Sequence, residues 1–521
     1  MTRSTWLLLG LLTASQFCDA YRILVVFPLP GKSHSILGFG VVNHLLKAGH
    51  DVTFVTPILE KSPHPKLHQI DISKNFDYLP KNTFDLKSIL NKESTVNDPN
   101  QIISSINLML RATYRNENVQ KLLNDVDQKF DLVIVEWLYC ELGAGIAEIV
   151  QAPLIWVSSL EPHWMVMRLI DEGLNPAYHG DALRENIPPF NFWQRTEQLW
   201  IQLKTLYYMH MYHDAQQSAM YDEVIAPLIR KRGRVPATFQ EVKYNASLVL
   251  GNSHVSLGMA TRLPQSYKAV GGYHINEEVK PLPEDLQKIM DNAKKGVVYF
   301  SMGSNLNSKD MPESLKKSLL DMFGELEQTV FWKFEEDFPK VPKNVHILEW
   351  APQASILAHP NCVLFITHGG LLSTTETIHY GVPIIGIPVF ADQFVNVNRA
   401  VGKGIAKKVD FSFTMAEDLR ENIVEMTSNP KYREKVKELS FIYHDRPVRP
   451  GAELVHWVEH VIQTKGAPHL RSPAINVPWY QKMYLDLAVV VVILVILSIS
   501  ALKRVYCLIF PKNVMGDKKY K

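Results

Sequence analysis

Two stretches of the chain gather residues whose types and spacing suit chemistry. In "FPLPGKSHSILG", residues 27–38, an apolar run breaks on proline and glycine, and His34 stands between two serines. An imidazole with its ordinary pKa of about 6.5 can take a proton near neutral pH. Lone histidines are more often surface or packing residues, so His34 by itself assigns nothing. The denser stretch is "WAPQASILAHPNCVLFITHGGLLSTTETIHYGVPIIGIPVFADQ", residues 350–393. Within it "CVLFIT" reads as a buried strand ending in His368, Gly369 and Gly370, and "LLSTTETIHYG" then starts a helix. Two glycines at this junction let a phosphate approach the backbone, and the new helix offers free N–H groups at the positive end of its dipole. Ser373 adds a hydroxyl in the first turn, and Glu376, further in, could reach a sugar hydroxyl. A glycine-rich strand-to-helix turn is weak evidence alone, and the chain has no G-x-G-x-x-G.

These residues need a frame, and the hydrophobic pattern supplies one. "RILVVF" is followed by the amphipathic "SHSILGFGVVNHLLKAG" and then by "DVTFVTP"; later come "FDLVIV", "PLIWVS", "SLVLGN" and "VGGYHI". Continuous apolar strands separated by helices indicate a parallel sheet covered on both faces. A polar, proline-rich segment, "INEEVKPLPED" at 275–285, reads as a linker. The alternation restarts in "GVVYFSMGS", "TVFWKF", "NVHILEW", "CVLFITH" and "PIIGIPVF". The fold expected is α/β, with two doubly wound, Rossmann-like domains facing each other across a cleft. Residues 190–221 interrupt the first half with eight aromatics and three methionines. Such a stripe is more often core than binding site, and it also suits an adaptable apolar pocket or a membrane-facing helix pair.

Composition bounds the function classes. Of 521 residues, 55 are Lys or Arg and 53 Asp or Glu, a net charge of +2 with no basic tract interleaved with aromatics. No nucleic-acid partner is expected. At the amino end an Arg precedes the apolar run Trp6–Leu12, with Cys18 and Ala20 as small residues before a cut, the layout of a secretory leader. At the other end no charged residue occurs from Leu487 to Leu502, about the length that crosses a bilayer core of roughly 30 Å. Lys503, Arg504 and the lysines of "PKNVMGDKKYK" follow, so the tail is expected in the cytosol and the body in a lumen. Four cysteines, at 18, 140, 362 and 507, offer neither a disulfide framework nor zinc spacing. Asn245-Ala246-Ser247 is a glycosylation sequon. Asp125-Val126-Asp127 is a D-x-D in a polar run, read as a solvated turn and not as a metal site.

The stretch 350–393 resembles the signature of the UDP-glycosyltransferases. Phe365, Thr367, His368, Gly370, Ser373, Glu376, Pro383, Pro388, Asp392 and Gln393 fit it, and the resemblance extends over the whole chain, to a "KKYK" ending that looks like a dilysine retrieval signal. The resemblance implies a glycosyltransferase B-type fold: leader 1–20, acceptor-binding domain 21–275, linker 276–285, UDP-sugar-binding domain 286–480, membrane helix 483–502 and tail 503–521. It implies an inverting transfer of a sugar, most simply glucose, from a UDP-sugar to a hydroxyl of a small lipophilic acceptor, as in detoxification or in hormone or pigment conjugation. Trp350 would stack on uracil with the Ala351 backbone at its edge, and Gln353 and Glu376 would hold the ribose. Ser304, His368, Gly370 and Ser373 would hold the diphosphate, with the helix terminus and His368 carrying its charge, and Asp392 and Gln393 the transferred sugar. No metal or other cofactor is required. The protein is expected in the endoplasmic reticulum membrane as a single-pass chain with a luminal body, with a homo-oligomer allowed.

The same resemblance gives His34 a role. In the family a histidine in the loop after the first strand deprotonates the acceptor, and an acid, commonly Asp in a run like "FDVIFAD", supports it. Here "FDLVIVE" puts Glu136 at that place, one methylene longer and still able to orient His34. Asp131 starts the strand, at the wrong end for a site above the sheet's carboxyl edge. Two other readings compete. A non-catalytic carrier with this fold draws support only from the Glu136 departure, and a serine hydrolase would need a G-x-S-x-G elbow that the chain lacks.

Overall fold

The computed structural model describes residues 20–78, 86–91, 99–304, 306, 308–336 and 338–510. The leader, except Ala20, and the lysine-rich ending beyond Phe510 lie outside the described residues.

Strand β1 (Arg22–Val26) is the apolar run before His34, buried after its first residue. Helix α1 (Lys32–Lys47) follows it and leads to β2 (Asp51–Thr56) and β3 (Leu67–Asp71) on one side of β1. The chain then crosses to the other side and lays down β4 (Leu132–Trp137), β5 (Leu154–Ser158), β6 (Ala246–Gly251) and β7 (Tyr267–Ala269). All seven strands are parallel, in the order β3-β2-β1-β4-β5-β6-β7. The alternation of side chains along each strand builds two layers. Leu24, Val26, Val133 and Val135 enter one core, and Ile23, Val25, Leu132 and Ile134 enter the other.

The aromatic stripe lies between β5 and β6. It begins with helix α2 (Phe192–Tyr208), opened by a capping box between Asn191 and Gln194, and continues through a π-helical turn, Met209–His213. The stripe divides: its later residues Met209, Met220 and Tyr221 enter the first core, while most of its earlier large side chains do not. Phe192, Trp193, Trp200, Leu203, Tyr207, Met211 and Tyr212 are exposed, while the buried positions include the polar Gln198, His213 and Gln217. Polar residues are turned inward with them, where Gln198 accepts from the Asp181 N–H at 2.9 Å and Gln217 accepts from the Glu141 N–H at 3.0 Å.

The second sheet repeats the plan with β8 (Val297–Ser301), β9 (Thr329–Lys333), β10 (Val345–Leu348), β11 (Cys362–Thr367), β12 (Ile384–Gly386) and β13 (Ala406–Lys408). They are parallel in the order β10-β9-β8-β11-β12-β13. Helix α3 (Leu371–Tyr380) follows β11 and stops on Gly381 in the left-handed conformation, φ 69°. Helix α4 (Gln393–Gly402) follows β12. In each sheet the strand order reverses once, between β1 and β4 and between β8 and β11. Doubly wound folds bind ligands beyond the strands' carboxyl ends at such a point. Asp125 to Asp127 form an exposed turn, with the Asp127 N–H on the Asp125 carboxylate at 3.0 Å.

Helix α5 (Pro450–Gln463) returns to the first sheet. Leu454, Val458 and Val461 are fully buried in the same core as Val41, Val42 and Leu45 of α1, and Glu459 reaches His50 at 3.1 Å. A separate unit, residues 472–521, contains helix α6 (Leu485–Ile509). Among the described residues α6 is the one helix long and apolar enough to cross a membrane; it runs on past Leu502 through Lys503 and Arg504.

The four hydrophobic cores and the apolar side chains packed against them end at Leu470. A chain ending at Arg471 should therefore stay folded and soluble, whereas one ending at Arg449 loses α5, uncovers α1 and should aggregate. Size-exclusion chromatography and circular dichroism of the two truncations check this.

Candidate active site

His34 sits in the first turn of α1, whose N-cap is Gly31. A side chain at position 31 would place its Cβ 2.9 Å from His34 Cδ2, so glycine is what lets the imidazole lie back over the helix start. Its Nδ1 meets Glu136 Oε1 at 2.5 Å across 102 residues of sequence. The Glu136 side chain is fully buried and His34 is 23% exposed. A carboxylate accepts, so Nδ1 carries the proton and Nε2 is left as the basic nitrogen. Burial alone would lower the His34 pKa, but the Glu136 charge and hydrogen bond, helped by Asp392 of the second half, outweigh it and hold it above 6.5. Asp131 lies at the sheet's other edge, where its carboxylate accepts from the Arg22 N–H at 2.7 Å.

The second half brings four of its expected residues together. Gln353 donates from Nε2 to the Glu376 carboxylate and to Ser373 Oγ (3.3 Å), and its carbonyl accepts from the Tyr299 hydroxyl at 3.3 Å. Burial pushes the Glu376 carboxyl up to about 7 against the pull of that amide. Trp350 stands in the loop after β10 with 58% of its surface exposed, and the Lys32 ammonium lies over its ring. Ala351 beside it is buried, and its carbonyl accepts from the Gln353 N–H at 2.9 Å.

Ser304 and His368 follow β8 and β11, whose last residues, Ser301 and Thr367, are register partners. His368 is cradled by glycine. A Cβ at Gly303 would stand 2.5 Å from its Cε1, and one at Gly370 would stand 2.7 Å from its Nε2. Gly370 caps α3 with no side-chain bond, so the first N–H groups of a ten-residue helix point out beside the ring. His368 departs from expectation in one respect. Burial, with Lys333 nearby, holds its pKa down to about 4, so before an anion arrives it is a neutral N–H donor and not a cation.

Asp392 opens α4, and its carboxylate accepts from Asn396 Nδ2 at 2.9 Å; the same amide donates to the Gly369 carbonyl at 3.2 Å. Asn396 thus ties Asp392 to the turn that carries His368. Burial raises the Asp392 pKa. Gln393 is buried, and its carbonyl accepts from the N–H groups of Val389 (2.8 Å) and Phe390 (3.1 Å), so only its amide N–H groups remain for a ligand. Reasoning from sequence missed several residues here. The Asp392–Asn396 pair was readable from its i, i+4 spacing. Arg399, one turn further along α4, lowers the Asp392 pKa, a cation that the sequence did not show beside the sugar position. Glu161, in the loop after β5, is pushed up to about 7 by burial although Arg399 and Lys403 pull it down.

Comparison with known proteins places this arrangement. The family described as "UDP-glucoronosyl and UDP-glucosyl transferase" matches residues 23–520. UDP-glucosyltransferase 2 of Dactylopius coccus is 33% identical over 472 residues, 89% of this chain and 88% of that one. UDP-glucuronosyltransferase 2B14 of Oryctolagus cuniculus is 29% identical over 399 residues, 76% and 73% of the two chains. Among solved structures, the calicheamicin glycosyltransferase CalG4 superposes with a TM-score of 0.57 at 16% identity, covering 86% of this chain and 99% of that one.

Glu376 gives this site a pH dependence of known sign. Its carboxylate accepts hydroxyls, and a group raised to about 7 is mostly protonated at pH 6 and mostly ionised at pH 8. Uridine, neutral across this range, should bind roughly tenfold more tightly at pH 8 than at pH 6, following the competent fraction. Calorimetry on the parent and on Glu376→Gln checks it, and the variant should show no slope.

Proposed function

The chain belongs to the UDP-glycosyltransferase family and moves a sugar from a UDP-sugar to an acceptor; on that premise we propose that His34 is its base, glucose its sugar and a small lipophilic hydroxyl compound its acceptor. The observation that carries the reading is the His34–Glu136 contact, at the switch point of one sheet and within electrostatic reach of Asp392 from the other. His34 Nε2 takes the acceptor's hydroxyl proton as the oxygen attacks the anomeric carbon. The bond from that carbon to the diphosphate breaks on the opposite face, UDP leaves with the electron pair, and the configuration inverts. Glu136 keeps the imidazole in the right tautomer and stabilises the imidazolium that forms. The N–H groups at the start of α3 support the leaving diphosphate without a metal.

The glucose reading rests on the Dactylopius relative and on the carboxyls of Asp392 and Glu161, which repel a second carboxylate. Glucuronate is the second reading, favoured by Arg399 beside Asp392. Initial rates with UDP-glucose and UDP-glucuronate in direct competition separate them. The endoplasmic reticulum, a luminal body and a cytosolic tail complete the proposal, supported by α6 and the basic residues at its end. Conjugation of hormones, pigments or foreign compounds is the corresponding role.

Mixing the protein with UDP-glucose and a phenol should release UDP, and His34→Ala should slow that release by at least about 10²-fold with little change in UDP affinity. The pH profile tests the partner. Because Glu136 raises the His34 pKa, the base form fills only above 6.5, and kcat/KM should climb with pH through that raised value. In Glu136→Gln burial dominates, so the acid limb should move to lower pH while the plateau falls. A His34→Ala, Glu136→Gln double variant should be little worse than His34→Ala, since the acid acts through the base. An unmoved acid limb or fully additive losses would remove Glu136 from this role.

A further inference from the structure

Lys32 and Trp350 come from different halves of the body and meet in the cleft. Lys32 is the first residue of α1, two before His34, and its Nζ lies 3.1 Å from the centroid of the Trp350 ring. The ammonium thus rests on the face assigned above to uracil. Among the described residues no carboxylate stands within ion-pair distance of it. Partial burial of its ammonium, with another cation, Lys333, close by, lowers its pKa. Lys32 is a cation set against a cation, held only by a π face.

The lysine nearest His368 on the donor side, Lys333, is already paired with Glu335 at 2.7 Å. A departing UDP gains negative charge as its bond breaks, and His368 is held neutral. The start of α3 contributes about half an elementary charge. A cation–π contact is weak beside a charge-assisted bond to phosphate, and lysine is a compact charge on a flexible four-carbon stem.

We propose that Lys32 is the cation of the donor's diphosphate: uracil takes the Trp350 face, and the displaced ammonium moves to the diphosphate oxygens and stays there while UDP departs. The inference rests on the donor assignment made under the proposed function and adds a residue from the acceptor half. One helical turn then carries both the base for the acceptor and the charge for the leaving group, so an occupied donor site engages the turn that holds His34.

The full-length protein in detergent-solubilised membranes, with Lys32→Met and Lys32→Arg, tests this. Lys32 is exposed, so neither change threatens the fold. Lys32→Met should weaken UDP binding by about tenfold or more, leave uridine unweakened because the ring face is now free, and lower kcat by about 10²-fold, the scale of a lost transition-state donor. Lys32→Arg, which keeps the charge, should recover most of both. Equal shifts for UDP and uridine, or a Lys32→Met turnover within about twofold of the parent, would overturn the proposal. The two binding measurements need no acceptor, so they decide the role of Lys32 whether or not sugar transfer is detected.

Discussion

Two pairs of parallel strands at the reversal points of the two sheets place the base, its acid partner and the diphosphate turn. Val26 of β1 is in register with Val135 of β4, and Ser301 of β8 with Thr367 of β11. Neighbouring strands at these points run on to opposite sides of the sheet, so the loops that leave them diverge and open a crevice. Glu136 stands one residue beyond the first pair, and His34 reaches it from the helix that leaves the same edge. His368 stands one residue beyond the second pair, with the N–H groups of α3 beside it. Shifting either register by one residue would turn Glu136 or Thr367 to the opposite face, because side chains alternate along a strand.

The two halves of the cleft prepare their charges differently. On the acceptor side a buried carboxylate is paired with an imidazole, which raises the base without leaving an isolated charge. On the donor side burial works against charge. His368 is driven neutral, and Glu376 and Asp392 are pushed upward. Groups so held are released by a ligand that supplies what burial took away: ribose and hexose hydroxyls that donate to carboxylates, and a diphosphate that accepts from N–H groups. Burial on the donor side is thus costly in electrostatic terms, and the hydrogen bonds from Gln353 to Glu376 and from Asn396 to Asp392 offset part of that cost.

Much of this was legible before any coordinates. Continuous apolar runs separated by amphipathic helices identify parallel sheets buried on both faces, and β4, β5 and β6 are buried at every position. The glycines at 369 and 370 mark a turn that only close backbone approach explains, and Gly369 has φ +81°. The aromatic stripe was legible only in part, because a row of large side chains looks the same whether it faces in or out: Met209, Met220 and Tyr221 enter the first core, and Phe192, Trp193 and Trp200 face outward. The helix that carries these last three buries polar residues such as Gln198 against the body instead. Likewise nothing local in "PGAELVHWVEHVIQ" says which sheet it covers; its apolar face would fit either, and it covers the first.

By itself the sequence determined the local conformations and the chemical types on offer: strands, turns, helix starts, a long apolar helix, and one histidine and one glutamate at the ends of suitable elements. These follow from periodicity and backbone preference, which act between near neighbours. The tertiary structure alone decided the pairings. That His34 meets Glu136, that Asn396 joins Asp392 to Gly369 and that Lys32 lies on Trp350 all depend on contacts between distant segments. Proton affinities belong to the same class. His368 near 4 and Glu376 near 7 are set by burial and by the charges around them, quantities that do not exist until the chain has closed over the site.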